Sequence, residues 1–275
     1  MHNRQKKIAV INDFCGFGRC SVSVMLPVIS ALKIQCCALP TAIFSNHTGF
    51  QSFFSTDYTE NMDAFIAEWV KLGLRFDSIV TGFLGSEKQV ETVRRFFEFF
   101  KTDENTVIID PVMGDDGRLY STYPESLAKR MRALVPYADI LIPNLTEACI
   151  LTDTPYCERK TEAELTEIAL KLSSMGPEKI VISGLECDGD IENFIYERGK
   201  ASVIIKEHKA GPCRAGTGDV FTAIVAADTV NGKSLSDAVR HAASFVAKCL
   251  RRTAEMNIPE TDGICIEELL TEIGE

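Results

Sequence analysis

The chain has 275 residues, 45% of them hydrophobic and 25% charged, with a formal net charge of −10. That length and composition suit one large α/β domain spanning 1–275, and the surplus of carboxylates excludes a surface built for nucleic acid or anionic membrane. A site for a polyanionic ligand must then be local, made of backbone amides, a metal ion or a few cations.

The ten cysteines contain no Cys-x-x-Cys pair, so they read as reduced thiols of a cytoplasmic protein rather than as a disulfide or zinc framework. Arg4, Lys6 and Lys7 precede only a short apolar run, which predicts a strand instead of a signal peptide. No stretch approaches ~18 uncharged apolar residues, so no membrane span is expected.

In chain order, Lys7 to Asn12 is an apolar run ending in polar residues, as a buried parallel strand does. A turn with Gly16 and Gly18 follows, then a helix opened by Ser21 and running to about Leu32, and a strand from Ile34 to Pro40. Asn61 to Gly73 predicts a helix with Phe65, Trp69 and Leu72 on one face and Gly73 as its stop. Next come a strand over Asp77–Leu84, a helix over Glu87–Lys101 and a strand over Thr106–Asp110. Helix Pro124–Val135, strand Asp139–Pro143 and helices Thr146–Thr152 and Thr161–Met175 continue the alternation. Lys179–Ser183 is a strand, and Asn193–Glu197 with Ser202–Lys206 predicts a hairpin across Arg198-Gly199. Helices Val220–Val230 and Leu235 to about Glu255, the second capped by Ser234, close the pattern. Such alternation predicts an α/β fold, a mostly parallel sheet with helices on both faces. Ligands of such sheets bind beyond the carboxyl ends of the strands.

Six strand ends are polar or glycine-rich: Asn12-Asp13, Ser45 to Gly49, Thr81-Gly82-Phe83, Asp110 to Asp115, Pro143 to Glu147 and Ser183-Gly184. A seventh signature, Ala215 to Phe221, reads AGTGDVF and leads into an apolar run. Amides at a glycine-rich helix start bind anions, and a carboxylate there can take a proton from a hydroxyl attacking a phosphoryl group. The same carboxylate can equally be a helix cap. No lysine follows the glycines, so this is not a P-loop; Gly16-Phe17-Gly18-Arg19 lacks the third glycine of a dinucleotide loop.

AGTGDVF resembles the signature of the ribokinase-like superfamily of small-molecule kinases. FSNHTGF (44–50), TGFLGS (81–86), DPVMGD (110–115), PNLTEA (143–148) and MGPEKIVIS (175–183) resemble the pyridoxal kinase family, in the same order. The resemblance implies a ribokinase-like fold and ATP-dependent phosphorylation of the 5′-hydroxymethyl group of a B6 vitamer: pyridoxal, pyridoxamine or pyridoxine. Carried over by position, Asp219 is the base and Gly216, Thr217 and Gly218 supply the anion hole. Asp110 and Glu147 serve Mg2+, and Asp115, Tyr120, Asn144 and Ser183 serve ATP. Asn12, Asp13, His47, Thr48 and Phe83 face the substrate ring. A monovalent cation such as K+ stays open, and a homodimer is expected by analogy.

The chain departs from the family at three places. Asn12 stands for a serine, with Asp13 beside it; Phe83 stands where tyrosine is common; the flap from Met113 to Tyr120 is short. These departures bear on the ring more than on the reaction, leaving hydroxymethylpyrimidine (phosphate) kinase of thiamine biosynthesis as the alternative enzyme. A non-catalytic vitamer-binding protein is the alternative of another class. Cys213 is a candidate for aldehyde chemistry beside a simpler reading as a bystander thiol.

Overall fold

The computed structural model describes residues 4–120 and 123–274. Among the described residues, eleven strands and eight α-helices follow one another as β1 (Lys7–Cys15), α1 (Val22–Ala31), β2 (Gln35–Phe44), β3 (Ser55–Asp57), α2 (Thr59–Lys71), β4 (Ser78–Thr81), α3 (Glu87–Phe100), β5 (Thr106–Ile109), β6 (Gly114–Asp115), β7 (Arg118–Leu119), α4 (Glu125–Met131), β8 (Ile140–Leu141), α5 (Leu145–Thr152), α6 (Glu162–Ser174), β9 (Lys179–Cys187), β10 (Asp190–Glu197), β11 (Val203–His208), α7 (Thr217–Val230) and α8 (Leu235–Glu255). Nine strands form one sheet in the order β11-β10-β9-β8-β5-β4-β1-β2-β3, and β6-β7 forms a separate ribbon. From β2 to β9 neighbouring strands run parallel; β3 at one edge and β10-β11 at the other are antiparallel. This is the mostly parallel α/β sheet that the alternation predicts, in the ribokinase-like form that the resemblance implies.

Alternate residues of the central strands enter different cores. Ile8 and Val10 of β1 join Val28, Ile224 and Ala242 from α1, α7 and α8, whereas Ala9 and Ile11 join Ile66, Phe96 and Leu172 from α2, α3 and α6. An aromatic cluster of Trp69, Phe76, Phe96 and Phe100 fills the second core, with ring centroids 4.5–6.2 Å apart. Phe96 is fully buried there, and emptying such a site costs about 3–5 kcal/mol.

The elements differ from expectation where local chemistry intervenes. Helix α2 starts at Thr59 because the Asp57 carboxylate accepts from the Thr59 amide, at 2.7 Å. Leu72 lies past its last turn and is 57% exposed, so it leaves the apolar face that Phe65 and Trp69 keep. The helix expected over Pro124–Val135 ends at Met131 and resumes as a 3-10 turn, Val135–Tyr137. Pro136 has no N–H for the Arg132 carbonyl, and its ring would crowd that oxygen in an α-helix. Two hairpins beyond the expected one turn on Asp-Gly: β6-β7 on Asp116-Gly117 (φ 48° and 75°) and β9-β10 on Asp188-Gly189 (φ 50° and 89°). Positive φ at both turn residues matches the right-handed twist of the strands they join.

Candidate active site

The parallel strands end on one edge, and α7 begins there. Alternation along β1 and β5 turns Asn12 and Asp110 to the face covered by α7, the face of Val10 and Ile108. The register of β1 against β2 shifts between Asn12 and Phe14. This bulge sets Asp13 apart from the ladder, and its carboxylate accepts from Ser21 Oγ at 2.6 Å. On the neighbouring strand, Gly82 makes the room: a Cβ there would lie 2.5 Å from Asn12 Cγ.

Helix α7 is capped by Gly216, at φ 85°, where a Cβ would sit 2.1 Å from the Arg19 carbonyl oxygen. Gly218 and Asp219 fall inside the first turn, where amides have no intrahelical acceptor, and a Cβ on Gly218 would meet open space. The Thr217 amide donates to Arg214 O at 3.2 Å, so this member of the expected anion hole is engaged within the turn. Asp219 does not cap its own helix. Its carboxylate accepts from the Ser21 amide at 2.8 Å and from Asn12 Nδ2 at 3.0 Å. Asn12 is fully occupied: its Oδ1 accepts from the amides of Phe83, at 2.8 Å, and Asp13, at 2.9 Å.

Three further carboxylates complete the edge. Asp110 accepts from Thr222 Oγ1, one turn along α7 from Asp219, at 2.9 Å. Burial, reinforced by the Asp219 charge, pushes Asp110 up to about 7. Asp13 is likewise pushed up to about 7, chiefly by burial and further by Asp219. Asp219 itself is raised by burial, against the pull of its Ser21 and Asn12 donors.

Glu147 is buried at the start of α5, where Asn144 and Glu147 form a capping box. Glu147 accepts from the Asn144 amide at 2.8 Å and from the Met113 amide at 3.0 Å. Burial and the Asp110 charge hold it well above the usual carboxylate range. Asn144 Nδ2 donates to Gly114 O, and Thr146 Oγ1 accepts from the Gly117 amide, each at 2.8 Å, which ties the β6-β7 flap to α5. Asp115 and Tyr120 are exposed at this flap, and Ser183 bridges to Asn144 from the middle of β9, which runs past the strand end expected at Ser183 to Cys187.

The aromatic side of the edge is separate. Phe83 meets Phe44 edge-on at 6.1 Å, and Phe53 packs on Phe44 at 5.7 Å. His47 Nδ1 accepts from the Gly49 amide at 3.1 Å, which puts the proton on Nε2, and Nε2 donates to Thr261 O at 2.8 Å. Thr48 is exposed beside it. Cys213 is exposed near Thr217 Oγ1, 3.7 Å away.

Ser21, Thr222 and Thr146 were not among the site residues expected from the sequence. Thr222 follows Asp219 by three residues and so shares its helix face, a readable signal. Ser21 acts on Asp219 through its amide, which no side-chain pattern reveals.

A glycine-led helix start bearing an ionisable carboxylate, set over the ends of a parallel sheet, defines a small-molecule kinase of the ribokinase-like type. The family model for phosphomethylpyrimidine kinase matches residues 25–263, and the chain belongs to that family, together with the pyridoxal kinases. A pyridoxal kinase of Arabidopsis thaliana is 30% identical over 225 residues, 77% of this chain and 71% of that protein. The hydroxymethylpyrimidine/phosphomethylpyrimidine kinase of Bacillus subtilis is 31% identical over 188 residues, 66% of this chain and 65% of that protein. A crystallised Bacteroides thetaiotaomicron protein, provisionally named a phosphomethylpyrimidine kinase, superposes with a TM-score of 0.97 at 36% identity, covering 100% of this chain and 96% of that one. Another crystal form of it contains pyridoxal. Kinase activity of this family is thereby assigned to the chain. Among the described residues no helix is long and apolar enough to cross a membrane.

The raised carboxylates make stability depend on pH. Asp110 moves from an ordinary 3.8 to about 7, so the folded protein holds this proton more tightly than the unfolded chain does. Its contribution to stability is complete below the unfolded value and is lost as the pH rises through 7. Asp110→Asn is therefore expected to melt above the wild type, with a gain that grows between pH 4 and 7 and then levels off, at roughly 2–4 °C per kcal/mol. Thermal unfolding of both proteins across that range checks it.

Proposed function

We propose that the protein transfers the γ-phosphoryl group of ATP to the 5′-hydroxymethyl group of a B6 vitamer: pyridoxal, pyridoxamine or pyridoxine. The observation that carries this reading is the Asp219 carboxylate, turned away from its own helix and held by Ser21 and Asn12 beside the free amides of α7. In that place Asp219 removes the proton as the hydroxyl oxygen attacks phosphorus, and the first-turn amides of Gly218 and Asp219, with Gly216 at the cap, receive the transferred phosphoryl charge. Asn12 then acts as a positioning residue, fixing the carboxylate rather than touching the ring.

The remaining residues fit Mg2+ carried on phosphates. Glu147 is buried, Asp110 is half-buried and the two carboxylates repel each other, while among the described residues no group of three or more His, Cys, Asp or Glu side chains forms a protein cage. Magnesium usually keeps several waters, so these two carboxylates would hold it through that shell. When bound, it neutralises the phosphates and lowers the pKa of the carboxylates around it. The flap with Asp115 and Tyr120 would cover ATP, and Asn144 and Ser183 flank its phosphates. Phe83, His47 and Thr48 border the ring. The reading also carries a cytoplasmic location and a homodimer, for which Phe53 and Phe54, 41% and 72% exposed beside edge strand β3, offer apolar surface.

A second reading, phosphorylation of hydroxymethylpyrimidine or its phosphate, is favoured by the matching family model and by the Bacillus subtilis relative. ATP consumption with pyridoxal, pyridoxamine, pyridoxine and hydroxymethylpyrimidine separates the two. Turnover of the B6 vitamers is expected, and turnover of the pyrimidine alone rejects the first reading. For the base, Asp219→Ala is expected to lower kcat by roughly 10²–10⁴-fold while the vitamer still binds. Unchanged kcat in that variant removes Asp219 from the chemistry.

A further inference from the structure

Two buried thiols lie behind the catalytic carboxylate and take no part in the reaction just described. Cys15 ends β1 and Cys20 precedes α1; they are 1% and 8% exposed. Phe14 pairs with Ser21 as an antiparallel bridge, so the next residues inward, Cys15 and Cys20, oppose each other across a four-residue loop, 16–19. Residues opposed in an antiparallel pair have Cα atoms about 4.5–5.5 Å apart, within the ~4.4–6.8 Å span that a disulfide bridges. The Cys15 thiol points back into this loop, where it donates to Phe17 O at 3.0 Å.

The geometry points to Cys15 and Cys20 as a reversible redox modification site that switches off phosphoryl transfer when joined by a disulfide. The inference rests on the proposed role of Asp219. Residue 21, immediately after Cys20, gives its amide to Asp219 and its hydroxyl to Asp13. The same loop forms the wall under the anion site: the Gly216 cap position faces Arg19 O and Cys20 Cα. On the other side, Ser23 Oγ donates to Cys15 O, so α1 is tied to the first thiol as well.

Forming the bond releases the Cys15 thiol from Phe17 O and draws the sulfurs together to about 2.05 Å. The connecting loop then shifts on both the Ser21 and the Gly216 sides, and displacements near 1 Å in a reacting geometry cost about 10²-fold. The Cys20 thiol beside it holds Cys15 below the usual thiol range, which makes Cys15 the better nucleophile.

The oxidant is a peroxide. The Cys15 thiolate attacks one peroxide oxygen, giving a sulfenic acid and, with a proton, one water. Cys20 then attacks that sulfur, the S–S bond forms and the S–O bond breaks, and a second water leaves. Two thiols are oxidised and one hydrogen peroxide is reduced to two waters. A dithiol reductant reverses the step.

The test exposes the full chain to hydrogen peroxide, quenches, maps cysteine peptides by mass spectrometry and assays ATP consumption with the substrate chosen by the panel. The expected result is a Cys15–Cys20 crosslink, a loss of activity of at least about tenfold in proportion to it, and recovery with dithiothreitol. Cys20→Ser and Cys15→Ala should each resist the reversible loss under the same exposure. A crosslinked protein of full activity, reversible loss with both thiols still reduced, or equal reversible loss in both variants overturns the inference. Because the crosslink is read by mass, a wrong assignment of substrate shows separately, as turnover of another compound before any oxidant is added.

Discussion

Four carboxylates share one edge of the sheet, and the rest of the site is arranged around keeping them there. Asp13, Asp110, Asp219 and Glu147 are all raised by burial, and Asp219 burdens Asp110 and Asp13 while Asp110 burdens Glu147. Such a cluster persists only because each member is given donors: Ser21 to Asp13 and Asp219, Thr222 to Asp110, backbone amides to Glu147. Asp219 and Glu147 each occupy the first turn of a helix, where the dipole favours negative charge. What stays uncompensated is a site that gains by binding a cation, the place that the proposed function gives to hydrated Mg2+ on phosphates. Strain of this kind at a functional edge is the usual trade of stability for activity.

The alternation of strands and helices was legible because buried parallel strands are short apolar runs and the helices carry clear stops. Hairpins were less so. Asp116-Gly117 and Asp188-Gly189 are the dipeptides that two-residue turns demand, yet both follow strand ends that read as loop. Within the site, AGTGDVF showed where an anion and a carboxylate meet, but not that Asp219 is the third residue of its helix and bonds sideways. That depends on Asn12, whose direction is set by the bulge at Asp13 and by the space left at Gly82. Neither feature has a local sequence signature, since both arise from how adjacent strands are registered.

The departure of Asn12 from the serine of the resembled family acquires a physical sense from these contacts. Asn12 joins β1, β4's following turn and α7 in one step, through Phe83 N and Asp219. A serine is too short to make both bonds at once. In the proposed reading the substitution moves a polar group from the ring side of the site to the base side, at a cost to substrate recognition.

Recognition must then come from what is left. The His47 ring has both nitrogens engaged by backbone and rests against Phe50, with centroids 4.7 Å apart. In this arrangement it offers a face and an edge, not a hydrogen bond. Phe83 adds a second apolar surface where a tyrosine would have brought a hydroxyl. A flat heteroaromatic ring stacks well on such surfaces, but stacking discriminates poorly between a pyridine and a pyrimidine. The exposed hydroxyl of Thr48 and the buried Asp13, raised to about 7 and half-shielded by Ser21, are the polar groups left beside those surfaces. Hydrogen bonds to buried polar groups discriminate far more sharply than apolar contact does, so in the proposed reading the choice between ring types turns on whether Asp13 meets a ring substituent or remains bound to Ser21.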